Sequence, residues 1–458
     1  MGIRRFVSSG PRWLRVAVAA ALAAGVLAAG AAIAVRVLVP AEVSTTRAGP
    51  FPSSAEQPGP GVRGVLTSAP LVVAGQLRIY AAPRQVRADG PVDAKTERSP
   101  YWSYRRWPEQ LVGVVVTGET VVSRWSDGQL VGLDGLTGEV RWRTPGPEPI
   151  DAGYTGGRTG ADTVYRPRGL HTANPPGGGA VLIADNGTEV RGFDAATGRE
   201  LWRARYDRPN CRATGFTTTG GAFLTVDVCA TEEPPVELYD VTTGAVTRWQ
   251  PEGSRKPLRV TGVSCAAASS NCPAVQVLSA GARRGWSTAG PTPTPVPALD
   301  APTALVAGDT VVAPGADPTT VVATSLSDGA RRWSRTVDTT PPADPADPAV
   351  PPAADPSVPP VAGASAPPVR LLASQPGRLH LLVAGGQLLT LDPATGAELS
   401  RSVLTVGVTN RQKTDWQPGH VYAEAGLVCI ERLPYEWDPE GADPGGFFVV
   451  QPMILAGT

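Results

Sequence analysis

Lysine is almost missing from this 458-residue chain: Lys95, Lys256 and Lys413 are its only three, so nearly every cation is an arginine. Net charge is missing too, because 41 basic residues balance 41 acidic ones. No basic stripe argues for nucleic acid, and no acidic block argues for a solvating tail. Histidine is scarce (His171, His380, His420) and lacks metal-ligand spacing, so no metal centre is expected. The five cysteines contain no C-x-x-C pair and no two adjacent residues. No G-x-S-x-G occurs, which leaves a serine-hydrolase elbow unsupported. "GPGVRG" at 59–64 satisfies G-x-G-x-x-G, but no strand precedes it and no helix follows, and dinucleotide binding needs both. No long 3.6-residue apolar period appears after residue 40, so the body is not helical. Catalytic residues, cofactors and metals are therefore all assigned as none.

Glycine (52) and proline (48) are abundant, and both punctuate chains of short strands and turns. Tryptophan (11) outnumbers tyrosine (9) and phenylalanine (7), which requires an explanation. Runs such as "LVGVVVTGETVVSRW" (111–125) and "GAVLIADNGTEVRGF" (179–193) are rich in Val, Leu and Thr and broken by hairpin residues. The exported part is expected to be all-β.

The N-terminus sets the expected compartment. Arg4, Arg5, Arg12 and Arg15 precede twenty uncharged residues at 16–35, long enough to cross a hydrocarbon core as a helix. The expectation is a single-pass plasma-membrane protein, with residues 1–15 cytoplasmic, a transmembrane signal anchor at 16–39, and the rest outside. A cleaved signal peptide is the competing reading. Residues 40–62, rich in Pro, Gly and Ser, read as a stalk, and 63–458 as the folded domain. Proline lacks the ladder donor, so 339–368 reads as a disordered insert. An exported domain can hold disulfides, and local pairs Cys211–Cys229 and Cys265–Cys272 are expected across two hairpins, with Cys429 left over.

One turn recurs with a period near 40 residues. "VGLDGLTGEVRWRT" (131–144) places Asp134, Thr137, Gly138 and Trp142 at the spacing that "RGFDAATGRELWRA" (191–204) repeats with Asp194, Thr197, Gly198 and Trp202. Asp240, Gly244 and Trp249 follow, the Trp one residue late. Gly329 and Trp333 keep part of the pattern, and Asp392 and Gly396 keep it with Ser400 in the Trp place. Weaker copies end at Trp102, Trp286 and Trp437. The chemistry is local: Asp accepts backbone N–H groups of the turn, Thr supports it, and Gly supplies the positive φ. A Trp at one place in each unit would bury about 150–250 Å² against the next. The densest aromatic-basic run, "YWSYRRWP" (101–108), is read as part of a blade rather than a partner patch, with Arg packed over the rings.

D-x-x-T-G-x-x-x-W after an apolar strand resembles the repeat of pyrroloquinoline-quinone-type β-propellers. The resemblance covers roughly residues 64–450 and implies seven or eight four-stranded blades joined by the motif tryptophans. That family includes quinone-dependent dehydrogenases and non-catalytic envelope propellers. The dehydrogenases typically carry a vicinal cysteine pair over the cofactor, which is missing here, so the likeness is to a membrane-anchored, non-enzymatic branch. The implied function is a binding or scaffolding module at the cell envelope, with another envelope protein as partner. The site would lie on one propeller face or in the central channel. The alternative is a quinone-dependent oxidoreductase.

Overall fold

The computed structural model describes residues 12–38, 41–52, 59–92, 100–151, 153–213, 215–230, 233–340, 368–404, 416–433 and 452–458. Eight antiparallel sheets form the body, an eight-bladed propeller of four-stranded blades. Blades 1 to 7 take their strands in chain order from residues 71–107, 111–145, 170–205, 216–249, 258–295, 305–336 and 369–403. The first strand of each blade is innermost, since the first strands of blades 1, 2, 3 and 4, and those of 6, 7 and 8, touch in sequence. Blade 8 combines the two halves of the chain. Gln417–Glu424, Leu427–Leu433 and Met453–Gly457 supply three strands, and Gly61–Leu66 adds the outermost, pairing Val65 with Ile454.

Apolar residues bury on both faces of the middle strands, as in Thr120–Trp125, where every residue is buried. The core therefore lies between blades rather than within one sheet: one cluster joins blades 2 and 3 through Leu130, Leu170 and Phe193, and another joins blades 4 and 5. This is how sheets without helices cover two apolar faces.

The N-terminus requires a correction. Arg12–Leu38 is helical, but no helix among the described residues is long and apolar enough to cross a membrane. The single-pass anchor, the plasma-membrane location and the sidedness expected from 16–39 are accordingly withdrawn. Within 40–62, Ala41–Thr45 does not stand off as a stalk. It lies antiparallel on the outer strand of blade 1, Trp102–Trp107, as a fifth strand. Residues 341–367, most of the Pro-rich insert, lie outside the described residues, as does Trp437.

Candidate functional site

The repeated residues form joints. Asp134 Oδ1 accepts the backbone N–H groups of Leu136 (2.9 Å) and Thr137 (2.7 Å), and the Gly138 N–H returns to the Asp134 carbonyl at 2.8 Å. Asp194, Asp240 and Asp392 do the same in their turns. Thr197 adds its hydroxyl to Asp194. In blade 6, Ser325 takes the Asp place and Gly329 keeps a φ of 71°. Burial alone would raise the Asp134 carboxyl, but the turn N–H groups and Arg141 outweigh it and hold it below the usual range.

Four motif tryptophans reach forward to the next blade's turn. Trp102, Trp142, Trp202 and Trp333 donate their indole N–H to the carbonyls of Gly135, Ala195, Val241 and Pro393, always the residue after the turn's Asp. The rings lie on Gly138, Gly198, Gly244 and Gly396, where a Cβ would stand 2.4–2.8 Å from a ring carbon. Glycine is thus needed twice, for a φ of 71–75° and for the ring above it.

Trp249 comes one residue late for a geometric reason. A bulge shifts the pairing of third and fourth strands in blades 2, 3, 6 and 7, but blade 4 has none. Without the extra residue the side-chain alternation moves by one, and the Trp must move with it to face blade 5. There it meets Trp286 edge-on at 5.3 Å. Trp286 does not occupy the expected outer strand. It sits on the third strand, Ala282–Ser287, because the fourth strand of blade 5 is only Thr294–Pro295.

Non-repeated segments approach the propeller axis. Between blades 2 and 3, the short helix Ala161–Tyr165 touches the inner strands of blades 2 and 8. Tyr165 donates to the Pro70 carbonyl (2.8 Å) and stacks on Tyr422 at 5.2 Å. From blade 5, the loop 264–272 closes through the Cys265–Cys272 disulfide and reaches the inner strands of blades 3 and 4. There His171 Nδ1 lies 2.7 Å from the Ala268 carbonyl, the Thr172 N–H donates to Ser270, and the Asn271 N–H donates to Thr217. The helix and the loop touch each other, so the chain itself covers the inner strands of blades 2, 3, 4 and 8.

A charged clasp holds the helix. His420, on the inner strand of blade 8, places Nδ1 2.7 Å from Glu431 and Nε2 3.1 Å from Asp162, and Thr159 donates to the other Glu431 oxygen at 3.0 Å. Burial lowers the His420 pKa and Arg166 opposes its charge, but the two carboxylates outweigh both and raise it to about 9. Asp162 and Glu431 are in turn held low by the imidazolium, Glu431 against its burial. Because the folded histidine pKa exceeds the unfolded value of about 6.5, its contribution is full below that pH and is lost as pH rises through about 9. Thermal unfolding across pH should therefore show a melting temperature that falls between about pH 7 and 10, a loss of roughly 1–3 kcal/mol, and His420→Gln should abolish that slope. An identical slope in the variant would assign the alkaline loss elsewhere. Linear reading had no signal for this cluster, since its residues come from an insert and a distant blade.

Arg124 is fully buried and donates to the carbonyls of Pro147, Arg168, Gly169 and Asp185. The one group with metal-ligand spacing among the described residues is Cys211, Asp227 and Cys229. Its two sulfurs are bonded to each other at 2.09 Å, which leaves no thiolate for a metal. Cys429 is buried and unbridged.

Residues 177–365, from blade 3 through blade 6, match a pyrroloquinoline-quinone-type repeat family described as outer membrane protein assembly factor BamB. The repeat resemblance is thereby shown over that stretch. Among solved structures, BamB from Moraxella catarrhalis is 15% identical, covering 90% of this chain and 99% of that one, with a TM-score of 0.40. The C-terminal WD40 domain of Sif2 is 10% identical over 89% of this chain and 98% of that one, with a TM-score of 0.39. U3-55K is 10% identical over 85% of this chain and 100% of that one, with a TM-score of 0.37. No curated protein matches the chain.

Proposed function

We propose that this chain is a non-catalytic propeller that binds or scaffolds another protein. The observation that carries the reading is what the motif and the axis are used for. The repeated Asp, Gly and Trp residues are engaged in turns and inter-blade joints, and the inner strands of blades 2, 3, 4 and 8 meet the chain's own helix and loop. Small-molecule chemistry favours a concave site with convergent polar groups. Protein binding needs only the outer surface and rim. The match of residues 177–365 to an assembly-factor family supports the same reading, and by that analogy the partner is another protein of the cell envelope.

The second reading, a quinone-dependent oxidoreductase, draws on the repeat type alone. The two readings separate in one pair of measurements. Saturating pyrroloquinoline quinone with Ca²⁺ should leave the melting temperature and the absorbance spectrum of the full chain unchanged. Crosslinking in intact cells should capture a defined protein partner, lost when the contact residues it identifies are replaced. Dye-linked oxidation of an alcohol or sugar by the quinone-loaded chain would overturn the binding reading.

A further inference from the structure

The aromatic-basic run 101–108 supplies the outer strand of blade 1, and it alone among the described blades carries a fifth strand. Ala41↔Trp107, Val43↔Arg105 and Thr45↔Ser103 are the hydrogen-bonding pairs, because the intervening Arg106 N–H points inward to the Arg84 carbonyl. Every residue of Ala41–Thr45 is exposed, so apolar burial hardly contributes to holding it. What fixes it besides the ladder is polar. Glu42 lies between blades and accepts from Arg143, the Ser44 hydroxyl faces the Gly138 carbonyl at 3.4 Å, and the Arg47 N–H donates to the Thr137 carbonyl at 3.0 Å. Arg47 also lies 4.4 Å over the Tyr101 ring. Burial raises the Glu42 carboxyl, yet Arg143 and Tyr104 outweigh it and hold it below the usual range.

These contacts define a receptor as well as a strap. The edge offers a ladder of main-chain groups, and one arginine of the neighbouring blade reads a carboxylate at a fixed place along it. Strand addition obtains affinity from such a ladder and specificity from alternate side chains. A segment held by exposed backbone bonds and a surface ion pair is also the kind that opens locally at small cost.

We propose that the outer edge of blade 1 is a strand-accepting site for an extended, acidic segment of a partner protein, occupied in the free chain by its own residues 41–47. The proposal rests on the protein-binding reading above and names the surface that performs it. The partner strand runs antiparallel to Trp102–Trp107 and presents a carboxylate to Arg143 where Glu42 stands. A small hydroxyl residue two positions later fits beside Gly138.

The test uses the full chain and a labelled peptide with the sequence of residues 40–48 as the probe. Val43→Pro removes a ladder donor from the strap while leaving the edge intact. Fluorescence anisotropy should show the peptide binding Val43→Pro about tenfold or more tighter than wild type, whose edge is filled in cis. A peptide carrying Glu42→Gln should bind the same variant roughly tenfold more weakly. Should Val43→Pro not fold, Glu42→Lys in the full chain, which sets like charge against Arg143, serves as the second strap-released variant. Equal or absent binding to folded wild type and variant overturns the proposal, and so does an unaffected Glu42→Gln peptide. A dimer on sedimentation that the peptide cannot dissociate also overturns it, by assigning the edge to a second copy. A failed peptide with a captured partner defeats this inference alone, whereas quinone-dependent turnover defeats the function reading.

Discussion

Trp142→Ala should lower the unfolding free energy by about 3–5 kcal/mol, the range for large aromatic truncations in cores. The ring is 8% exposed and lies between Gly132 of its own sheet and Gly198 of the next. Alanine would leave a void that two β-sheets cannot collapse into without moving a whole blade, so little of the loss is recovered. It would also strand the Ala195 carbonyl, which now accepts the indole N–H at 3.2 Å. Trp202 has the same burial and the same partner in its own joint, the Val241 carbonyl at 2.7 Å, and Trp202→Ala should lose a similar amount. Chemical denaturation of both variants measures it. A change under about 1 kcal/mol at both positions would falsify the wedge.

Gly198→Ala attacks the same joint from the other side and should cost about 2–4 kcal/mol. Roughly 1 kcal/mol comes from placing a Cβ at φ 71°, which the neighbouring turns would charge equally. The remainder comes from the Trp142 ring, whose Cε3 lies 2.4 Å from the new methyl and cannot swing away between sheets. The two contributions separate in a double-mutant cycle. In a Trp142→Ala background the cost of Gly198→Ala should fall to the backbone share, about 1 kcal/mol. If instead the two losses simply add, ring and glycine do not press on each other. Gly253, also at positive φ but with nothing within 4 Å, offers a control in which Ala should show the backbone share alone.

The all-β propeller was legible because one local rule writes itself into the chain many times. An apolar strand, an Asp-led turn and a Trp four residues past Gly need no distant information. Registration was less legible. Trp249 and Trp286 depend on whether a bulge forms and whether a fourth strand is long enough, and both are settled by pairing rather than by composition. The run of Ala, Gly and Val at 16–35 reads as a span from its length and lack of charge, but no helix among the described residues is long and apolar enough to cross a membrane. The His420 clasp was invisible for a different reason. Asp162 and Glu431 stand 269 residues apart, and only ring closure brings an insert of blade 2 beside blade 8.

Blade 8, composed of strands from both ends of the domain, has a consequence for how the ring comes apart. The tryptophan wedges join blades 1 to 2, 2 to 3, 3 to 4 and 6 to 7, and Trp249 with Trp286 joins 4 to 5. Among the described residues none crosses from 5 to 6, from 7 to 8 or from 8 to 1; at the last two, Ser400 and the strand Gly61–Leu66 stand in the corresponding outer positions. The circle therefore has a seam, closed like a belt buckle by the antiparallel ladder between Gly61–Leu66 and Met453–Gly457. Opening at the seam frees both ends of the chain while five joints stay wedged. The wedged joints then hold blades 1 to 5 and blades 6 to 7 as two stretches, with the apolar contact of Val263 and Val306 between them.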